Sequence, residues 1–164
     1  AVFHARLHNL IQEDYLEQRL FQLRNLGQAR HRGIEFSVRC QPSKRLKGQM
    51  HYTFLDRSHT SNPSIPPFQT PRHRGWLSLL CQLPHRVLLT LESEAEVGRW
   101  NLSEAARYLR TGSFAIASLS TTLPLPNGIE LRAGVRNITD QNYRFDEGYP
   151  ESGRTWFLGI YWRY

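Results

Sequence analysis

Residues 134–164, GVRNITDQNYRFDEGYPESGRTWFLGIYWRY, close with the alternating pattern that decides the fold of this chain. From Thr155 onward every second residue is large and apolar: Trp156, Leu158, Ile160, Trp162 and Tyr164. The intervening positions are mixed and include Gly159 and Arg163. Successive side chains of a β-strand point to opposite faces of its sheet. The pattern therefore predicts a final strand with one wholly apolar, aromatic face.

The same period of two recurs along the chain and predicts further strands near residues 3–8, 33–41, 49–55, 77–81, 87–92 and 128–136. Residues 113–123 are predicted as a seventh further strand, but their pattern does not define which side chains share a face. All nine prolines fall between the predicted strands, where their missing N–H breaks no hydrogen bond of a sheet. The dipeptide Asn127-Gly128 predicts a tight hairpin, because Asn-Gly suits the short turns that match the twist of paired strands.

The predicted connections alternate in length: long ones lie near 12–18, 58–74, 96–113 and 139–153, and short ones near 42–45, 83–86 and 124–127. Transmembrane β-barrels combine short periplasmic turns with longer extracellular loops. The residues thus predict an all-β chain, an antiparallel transmembrane β-barrel segment of about eight strands. Within the third long connection, NLSEAARYL (101–109) predicts a short helix capped by Asn101 or Ser103.

Two other architectures remain open on the alternation alone. A soluble β-sandwich that acts as a binding module also has alternating strands, with the apolar face turned inward. A self-contained membrane barrel of about eight strands, with a structural or adhesion role, shares the loop pattern. The unequal loop lengths and the aromatic final strand favour the segment of a larger membrane barrel.

The composition argues against several classes of function. The net charge is +7, but the basic residues are spread along the chain, so no nucleic-acid partner is expected. No catalytic grouping, glycine-rich phosphate loop or metal-ligand spacing stands out, so the sequence predicts no enzyme, no cofactor and no metal site. Cys40 and Cys81 are predicted about 10 Å apart, on strands separated by a third, which exceeds the reach of a disulfide.

The closing stretch resembles the C-terminus of TonB-dependent outer-membrane receptors. In that family a strand runs into an N-L-x-D-x-x-Y segment, then an acidic loop with G-Y-P-x-P-G-R, then a strand that ends on an aromatic residue. The matching residues here are Asn137, Asp140, Tyr143, Gly148, Tyr149, Pro150, Gly153, Arg154 and Tyr164. The departures are Ile138-Thr139 and Glu151-Ser152. Two upstream stretches, 25–56 and 70–86, are similar to strand motifs of the same family.

The resemblance implies a receptor that imports a scarce nutrient across the cell outer membrane. Receptors of this family form a barrel of about 22 strands whose lumen is plugged. Residues 1–164 are expected to be the C-terminal portion of such a barrel, without the plug domain. The implied ligand is a small nutrient, most commonly a metal chelate such as a ferric siderophore. The implied partners are outer-membrane lipid and the TonB complex, which acts through the missing plug.

Candidate functional residues follow from these loops and from the final strand. His59 and His73 flank the proline-rich loop and are predicted to approach each other and contact ligand. Tyr143, Phe145 and Tyr149 are predicted either to bind ligand in the last long loop or to pack on one another as a cap. Trp156 is predicted at one lipid interface, and Trp162 and Tyr164 at the other.

Overall fold

The computed structural model describes residues 1–17, 20–103, 105 and 107–162, with the backbone alone at 13–17 and 21. The described residues form strands with these bounds: β1 (Val2–Leu7), β2 (Ile11–Glu17), β3 (Leu20–Asn25), β4 (Ala29–Ser43), β5 (Leu46–His59), β6 (His73–Gln82), β7 (Leu88–Val97), β8 (Trp100–Leu102), β9 (Tyr108–Arg110), β10 (Phe114–Pro124), β11 (Ile129–Arg136), β12 (Arg144–Asp146), β13 (Tyr149–Pro150) and β14 (Thr155–Trp162). Eight of them form one antiparallel sheet in the order β1-β4-β5-β6-β7-β10-β11-β14. This sheet confirms the predicted all-β fold.

The connections of this sheet alternate between short turns and long loops, as predicted. Short turns join β4 to β5, β6 to β7 and β10 to β11, and the long loops gather at the opposite end of the sheet. Three of the long loops each carry a two-stranded hairpin: β2–β3, β8–β9 and β12–β13. The first long connection therefore extends well beyond the predicted 12–18.

The predicted helix at 101–109 is wrong. Trp100–Leu102 and Tyr108–Arg110 pair as the β8–β9 hairpin, with Asn101 opposite Leu109. Aromatic residues in both arms favour strands. The Asn101 side chain also donates a hydrogen bond of 2.6 Å to the Phe145 carbonyl, which ties the hairpin to a neighbouring loop. This tertiary contact outweighs the local helix propensity of the intervening residues.

The β10–β11 turn is the tight Asn-Gly hairpin that the sequence predicts. Asn127 and Gly128 have φ angles of 60° and 73°, and the Ile129 N–H donates to the Pro126 carbonyl. The β6–β7 turn has no glycine at the two corresponding positions. His85 and Arg86 adopt the left-handed backbone conformation there, with φ angles of 58° and 62°. Both turns hold their strands in tight antiparallel register.

Three prolines depart from the prediction that all of them lie between strands. Pro42 lies inside β4, beside a register shift between Cys40 and Ser43. Pro124 and Pro150 are the last residues of β10 and β13. An irregularity and a strand end are both positions where a missing N–H costs little, so these prolines are compatible with the sheet.

The sheet has two chemically different sides, which we call the apolar face and the polar face. The apolar face of β14 carries Trp156, Leu158, Ile160 and Trp162, which are 68–74% exposed. Cross-strand pairs continue this face through the sheet: Leu131–Ile160, Leu119–Val135, Leu91–Leu119, Leu79–Leu91 and Met50–Leu77. The polar face carries charged residues that include Arg74, Glu92, Glu94, Glu96 and Arg132.

The two alternative architectures are not seen in the described residues. The exposure of the β14 apolar side chains shows that no second sheet packs on that face, as a β-sandwich requires. The strands β1 and β14 are the two edges of the sheet and do not pair with each other in the part of the chain that the structure describes. The sheet is therefore an open segment of eight strands.

The buried apolar residues lie mainly at the long-loop end of the sheet. They include Leu26, Ala29, Phe68 and Phe114, each 3–5% exposed. Four of the buried polar residues lie at the same end: His59, Glu96, Asn101 and Asn137. Among the described residues, no helix has the length and apolar character needed to cross a membrane. The buried residues thus concentrate at the long-loop end, which is the part of the sheet best suited to form a binding site.

Candidate functional site

Three of the long loops enclose a cavity of about 660 Å³ at the long-loop end. Its lining comes from the β5–β6 loop, the β8–β9 hairpin and the β12–β13 hairpin: Phe68, Gln69, Asn101, Leu102, Ser103, Ala105, Asp146, Glu147, Gly148 and Tyr149. Asp146 and Glu147 make this lining acidic, and Tyr149 is 69% exposed beside them. The Asn101 Oδ1 atom is buried and accepts no hydrogen bond from the described residues. The cavity is therefore rich in acceptors.

An aromatic cluster lies behind this cavity and includes two of the predicted site residues. The ring centroid of Phe114 lies 4.6 Å from that of Tyr143 and 5.4 Å from that of Phe145. Tyr143 and Phe145 meet edge to face at 5.7 Å. Burial, together with the nearby carboxylates of Glu151 and Glu94, raises the pKa of the Tyr143 hydroxyl above its ordinary value. The structure thus brings Tyr143 and Phe145 together in the packed arrangement that the sequence left as one alternative.

A network of ion pairs supports the aromatic cluster from the polar face. Glu96 accepts two hydrogen bonds from Arg99, of 3.0 Å and 2.7 Å, and the side chain of Glu96 is only 2% exposed. Arg74 donates to Glu94 at 3.0 Å and 2.6 Å and lies 3.5 Å from Glu96. The Arg99 guanidinium lies 5.4 Å from the centroid of the Phe145 ring. Charge and aromatic packing are therefore coupled through Arg99.

The structure separates the two histidines that the sequence predicts to approach each other. His59 is an odd-numbered residue of β5 and lies on the polar face, whereas His73 pairs with Phe54 on the apolar face. His73 shares a hydrogen bond of 2.8 Å with the Tyr52 hydroxyl, and its ring lies 5.1 Å from that of Phe54. The prediction that these histidines meet is wrong, because the strands that carry them present them on opposite faces.

His59 lines a second, smaller cavity of about 180 Å³. Arg57 and His31 share this cavity, and Phe68 and Gln69 line both cavities. The Arg57 Nη2 atom donates to the carbonyls of Phe68 and Thr70, at 2.8 Å and 3.5 Å. The two cavities are thus neighbours, divided by one stretch of the β5–β6 loop.

The last long loop owes its shape to two residues of the closing motif. Asn137 donates through Nδ2 to the carbonyls of Gln141 and Ser152, at 2.9 Å and 3.3 Å, and accepts the Gln141 N–H at 3.0 Å. Asp140 accepts the backbone N–H of Arg154 at 2.7 Å. Both residues match the sequence motif, but the sequence alone did not indicate their role. Their structural role is to hold the loop that presents Tyr143, Phe145 and Tyr149.

Sequence reasoning missed several other residues of the site. Arg57, Glu96 and Arg99 gave no local signal, because their importance comes from contacts between distant loops, and Asn101 was predicted only as a possible helix cap. Glu96 has a partial signal in the sequence, because the alternation of its strand could have predicted that it lies on the polar face.

Two of the three predicted interface aromatics lie within the described residues. Trp156 and Trp162 occupy opposite ends of the apolar face of β14, at 74% and 68% exposure. The Trp162 indole Nε1 donates to the Asn127 carbonyl in the β10–β11 turn at 3.1 Å. Tyr164 lies outside the described residues. Within the described part of the chain, no group of three or more His, Cys, Asp or Glu side chains could hold a metal ion.

Comparison with known proteins gives a match over most of the chain. A family model described as TonB dependent receptor-like, beta-barrel, matches residues 1–138. A comparison with curated protein sequences found no match. The closing motif lies mostly beyond the residues that the family model matches.

Several solved structures have a similar fold. The copper transporter OprC is 19% identical with a TM-score of 0.76, and the match covers 94% of this chain and 26% of that one. The pyoverdine outer membrane receptor FpvA from Pseudomonas aeruginosa PAO1 is 13% identical with a TM-score of 0.77, covering 99% and 26%. The siderophore receptor PiuA from Acinetobacter baumannii is 14% identical with a TM-score of 0.74, covering 97% and 25%. The chain therefore spans about a quarter of the length of each of these proteins.

Proposed function

This chain belongs to the TonB-dependent receptor β-barrel family, and from that membership we propose that it forms the C-terminal part of the barrel of an outer-membrane nutrient receptor. The proposed cargo is a metal chelate such as a ferric siderophore. Uptake is driven by the TonB complex through a plug domain that residues 1–164 do not include. Proteins of similar structure include a siderophore receptor and a copper transporter, which supports this class of cargo.

The observation that carries the proposal is the exposed apolar face. A transmembrane β-strand needs about 9–11 tilted residues. On β5 the apolar face runs from Leu46 to Phe54, which is nine residues counted inclusively. At the long-loop end it gives way to charge, because Arg32 and Asp56 form an ion pair of 2.7 Å there. An apolar band of this length that ends in charged residues matches the lipid-facing surface of an outer-membrane barrel.

The interface aromatics extend the same proposal. Trp156 and Trp162 bracket the apolar face of β14, where amphipathic rings favour the two boundaries between lipid and water. The polar face then lines the lumen, which accounts for its charged residues. The short turns lie on the periplasmic side and the long loops on the extracellular side.

The long-loop cavities supply the proposed ligand site. We assign ligand contact to Tyr149, which is exposed beside the larger cavity, and to His59 in the smaller one. Tyr143 and Phe145 support the site from the aromatic cluster. His73 is left out of this set, since it lies on the face assigned to lipid. The site combines loops that the sheet holds close together, as is common for binding sites on rigid scaffolds.

Refolding in the presence and absence of lipid tests the proposal. The protein is diluted from urea into buffer, detergent micelles or liposomes, and is followed by far-ultraviolet circular dichroism and by gel migration before and after heating. We expect a β-rich, heat-modifiable species only when micelles or liposomes are present. A β-rich, monomeric protein in plain buffer would turn the apolar face inward and would overturn the membrane assignment.

The same preparation tests the ligand site. Ferric siderophores of the catecholate and hydroxamate classes, and Cu²⁺ alone, are titrated against tryptophan fluorescence, since Trp100 precedes the cavity-lining residues Asn101 and Leu102 in β8. We expect at least one ferric chelate to quench the fluorescence saturably, and we expect Tyr149→Ser to weaken that binding. Equal quenching of the wild type and the variant by every compound would remove Tyr149 from the site.

A further inference from the structure

The smaller cavity has a strongly one-sided chemistry. Its lining is Leu10, Ile11, Gln12, His31, Arg57, His59, Pro67, Phe68, Gln69 and Thr70. Among the side chains that the structure describes, this lining has a guanidinium and two imidazoles but no carboxylate. At about 180 Å³ the cavity is large enough for a group of several heavy atoms, because one water molecule takes about 30 Å³ in the liquid. The cavity therefore presents hydrogen-bond donors and positive charge to whatever enters it.

His59 is the residue that points to a ligand. It is 3% exposed, and neither Nδ1 nor Nε2 has a hydrogen-bond partner among the described residues. Leaving a buried polar group unpaired costs about 1–3 kcal/mol, so such groups are rare unless a partner arrives from elsewhere. His59 is also the last residue of β5, paired with Ala29 of β4, so the sheet fixes its position.

Arg57 is anchored so that it can serve the same cavity. Its Nη2 atom donates to the Phe68 and Thr70 carbonyls and thereby holds the β5–β6 loop against the cavity. A guanidinium carries five N–H donors, and Nε and Nη1 of Arg57 make no hydrogen bond to the described residues. The Arg57 guanidinium is therefore held in place by the loop, and its Nε and Nη1 groups are available to donate hydrogen bonds to a ligand. A metal ion is a poor occupant, because the guanidinium repels cations.

We propose that this cavity binds an oxyanion, a carboxylate, sulfate or phosphate group, through Arg57, His31 and His59. The identification of that oxyanion as part of an imported ligand rests on the proposed function. Charged oxygen acceptors form the strongest hydrogen bonds with guanidinium and imidazole donors. The neighbouring larger cavity has the opposite chemistry: it carries Asp146, Glu147 and the Asn101 Oδ1 atom, which accepts no hydrogen bond from the described residues. The two cavities together would orient a ligand with an oxyanion at one end and donor groups at the other.

Nuclear magnetic resonance of the refolded protein in detergent micelles, with ¹³C-labelled histidine, tests this proposal. Sodium sulfate, and separately citrate as a carboxylate probe, replaces sodium chloride at constant ionic strength. We expect saturable shifts of the His31 and His59 imidazole signals. His51 is the internal control, because it lies on the same strand and the same face as His59 but packs against Trp76 at 5.5 Å. Linear or equal shifts of all three histidines would overturn the proposal.

Two matched variants sharpen the result. His59→Phe, which keeps a ring but has no N–H donor, is expected to weaken sulfate binding by about tenfold, the effect of losing one hydrogen bond to a charged group. His51→Phe is expected to leave the affinity unchanged. Unchanged affinity in His59→Phe would overturn the site. If His59→Phe fails to regain heat-modifiable migration, the wild-type titration still decides, since it maps the shifts without any substitution.

The outcome separates this inference from the proposed function. A protein that needs lipid to fold but shows no saturable sulfate or citrate binding would remove the oxyanion site and leave the receptor assignment intact. A protein that folds in plain buffer and binds sulfate at His59 would overturn the receptor assignment and leave the oxyanion site intact. Citrate binding without sulfate binding would restrict the site to carboxylates and would retain the proposal in that narrower form.

Discussion

At the scale of single residues, Glu96 shows how the candidate site is supported. Its side chain is 2% exposed and accepts two hydrogen bonds from Arg99, which itself lies over the Phe145 ring. Breaking a buried ion pair is costly because the remaining charge loses its compensation. Glu96 therefore stabilises the position of Arg99 and, through it, the aromatic cluster behind the larger cavity.

Replacement of Glu96 tests this role. Glu96→Gln is expected to lower the free energy of unfolding by about 3 kcal/mol, because Arg99 is left buried without a counter-ion. Urea titration in detergent micelles measures the change. Glu147→Gln is the control, since its ion pair with Arg144, 3.3 Å long, is 32% and 45% exposed. That variant is expected to stay within about 1 kcal/mol of the wild type. Equal losses in the two variants would contradict the structural role of Glu96.

At the scale of elements, the two edge strands use the same device to bind their neighbours. Phe157 of β14 lies opposite Gly134 of β11, and Phe3 of β1 lies opposite Gly33 of β4. A Cβ atom at Gly134 would lie 2.6 Å from the Leu119 carbonyl oxygen and 2.7 Å from Phe157 Cζ. A ring that covers a glycine on the adjacent strand fixes the register and fills the space that the glycine leaves.

Gly134→Ala tests this pairing. The added methyl group must displace both a backbone carbonyl and a ring, so we expect a loss of about 1–3 kcal/mol in the free energy of unfolding. Gly75→Ala in β6 is the matched control, because a Cβ atom there meets nothing within 4 Å. We expect the control to be neutral within about 0.5 kcal/mol. If Gly134→Ala were equally neutral, Phe157 would not be fixing the register of β14.

Local pattern predicted the large sheet but not the small hairpins. A period of two is visible over the strands β4, β5, β11 and β14, because each has one apolar and one polar face. The β8–β9 hairpin gave no such signal. Its strands are three residues each, and their pairing depends on the contact between Asn101 and Phe145, which are far apart in the sequence. Contacts of that kind override local propensity.

The candidate site was predicted only in part for a related reason. The β5–β6 loop connects His59 to His73, and this proline-rich stretch has no periodicity. Nothing in the sequence therefore sets whether the two histidines share a face. Tyr143 and Phe145, two residues apart in one loop, could be predicted to lie together. The role of Arg57 could not, because its partners are backbone carbonyls of Phe68 and Thr70.

At the scale of the whole molecule, the sheet presents two different environments to its surroundings. The polar face holds charged residues such as Arg74 and Glu94, paired at 2.6 Å. The apolar face leaves large side chains uncovered, and Leu158 at its centre on β14 is 71% exposed. In water, so much exposed apolar surface would favour association. The proposed function places this surface against lipid, where hydrocarbon would solvate it.

Arginine substitutions on the two faces test this conclusion. Leu158 is 71% exposed, so Leu158→Arg would change the stability of a water-soluble sheet by about 0.5 kcal/mol or less. In a lipid-facing position the same change is expected to cost about 2–4 kcal/mol, because the charge enters hydrocarbon. Unfolding from liposomes in urea measures the difference. Ser78→Arg is the control on the polar face, where the new charge lies opposite Glu92, and it is expected to cost less than about 1 kcal/mol. A neutral Leu158→Arg variant in liposomes would mean that the apolar face does not contact lipid, since no bilayer-facing position at mid-strand tolerates arginine without loss.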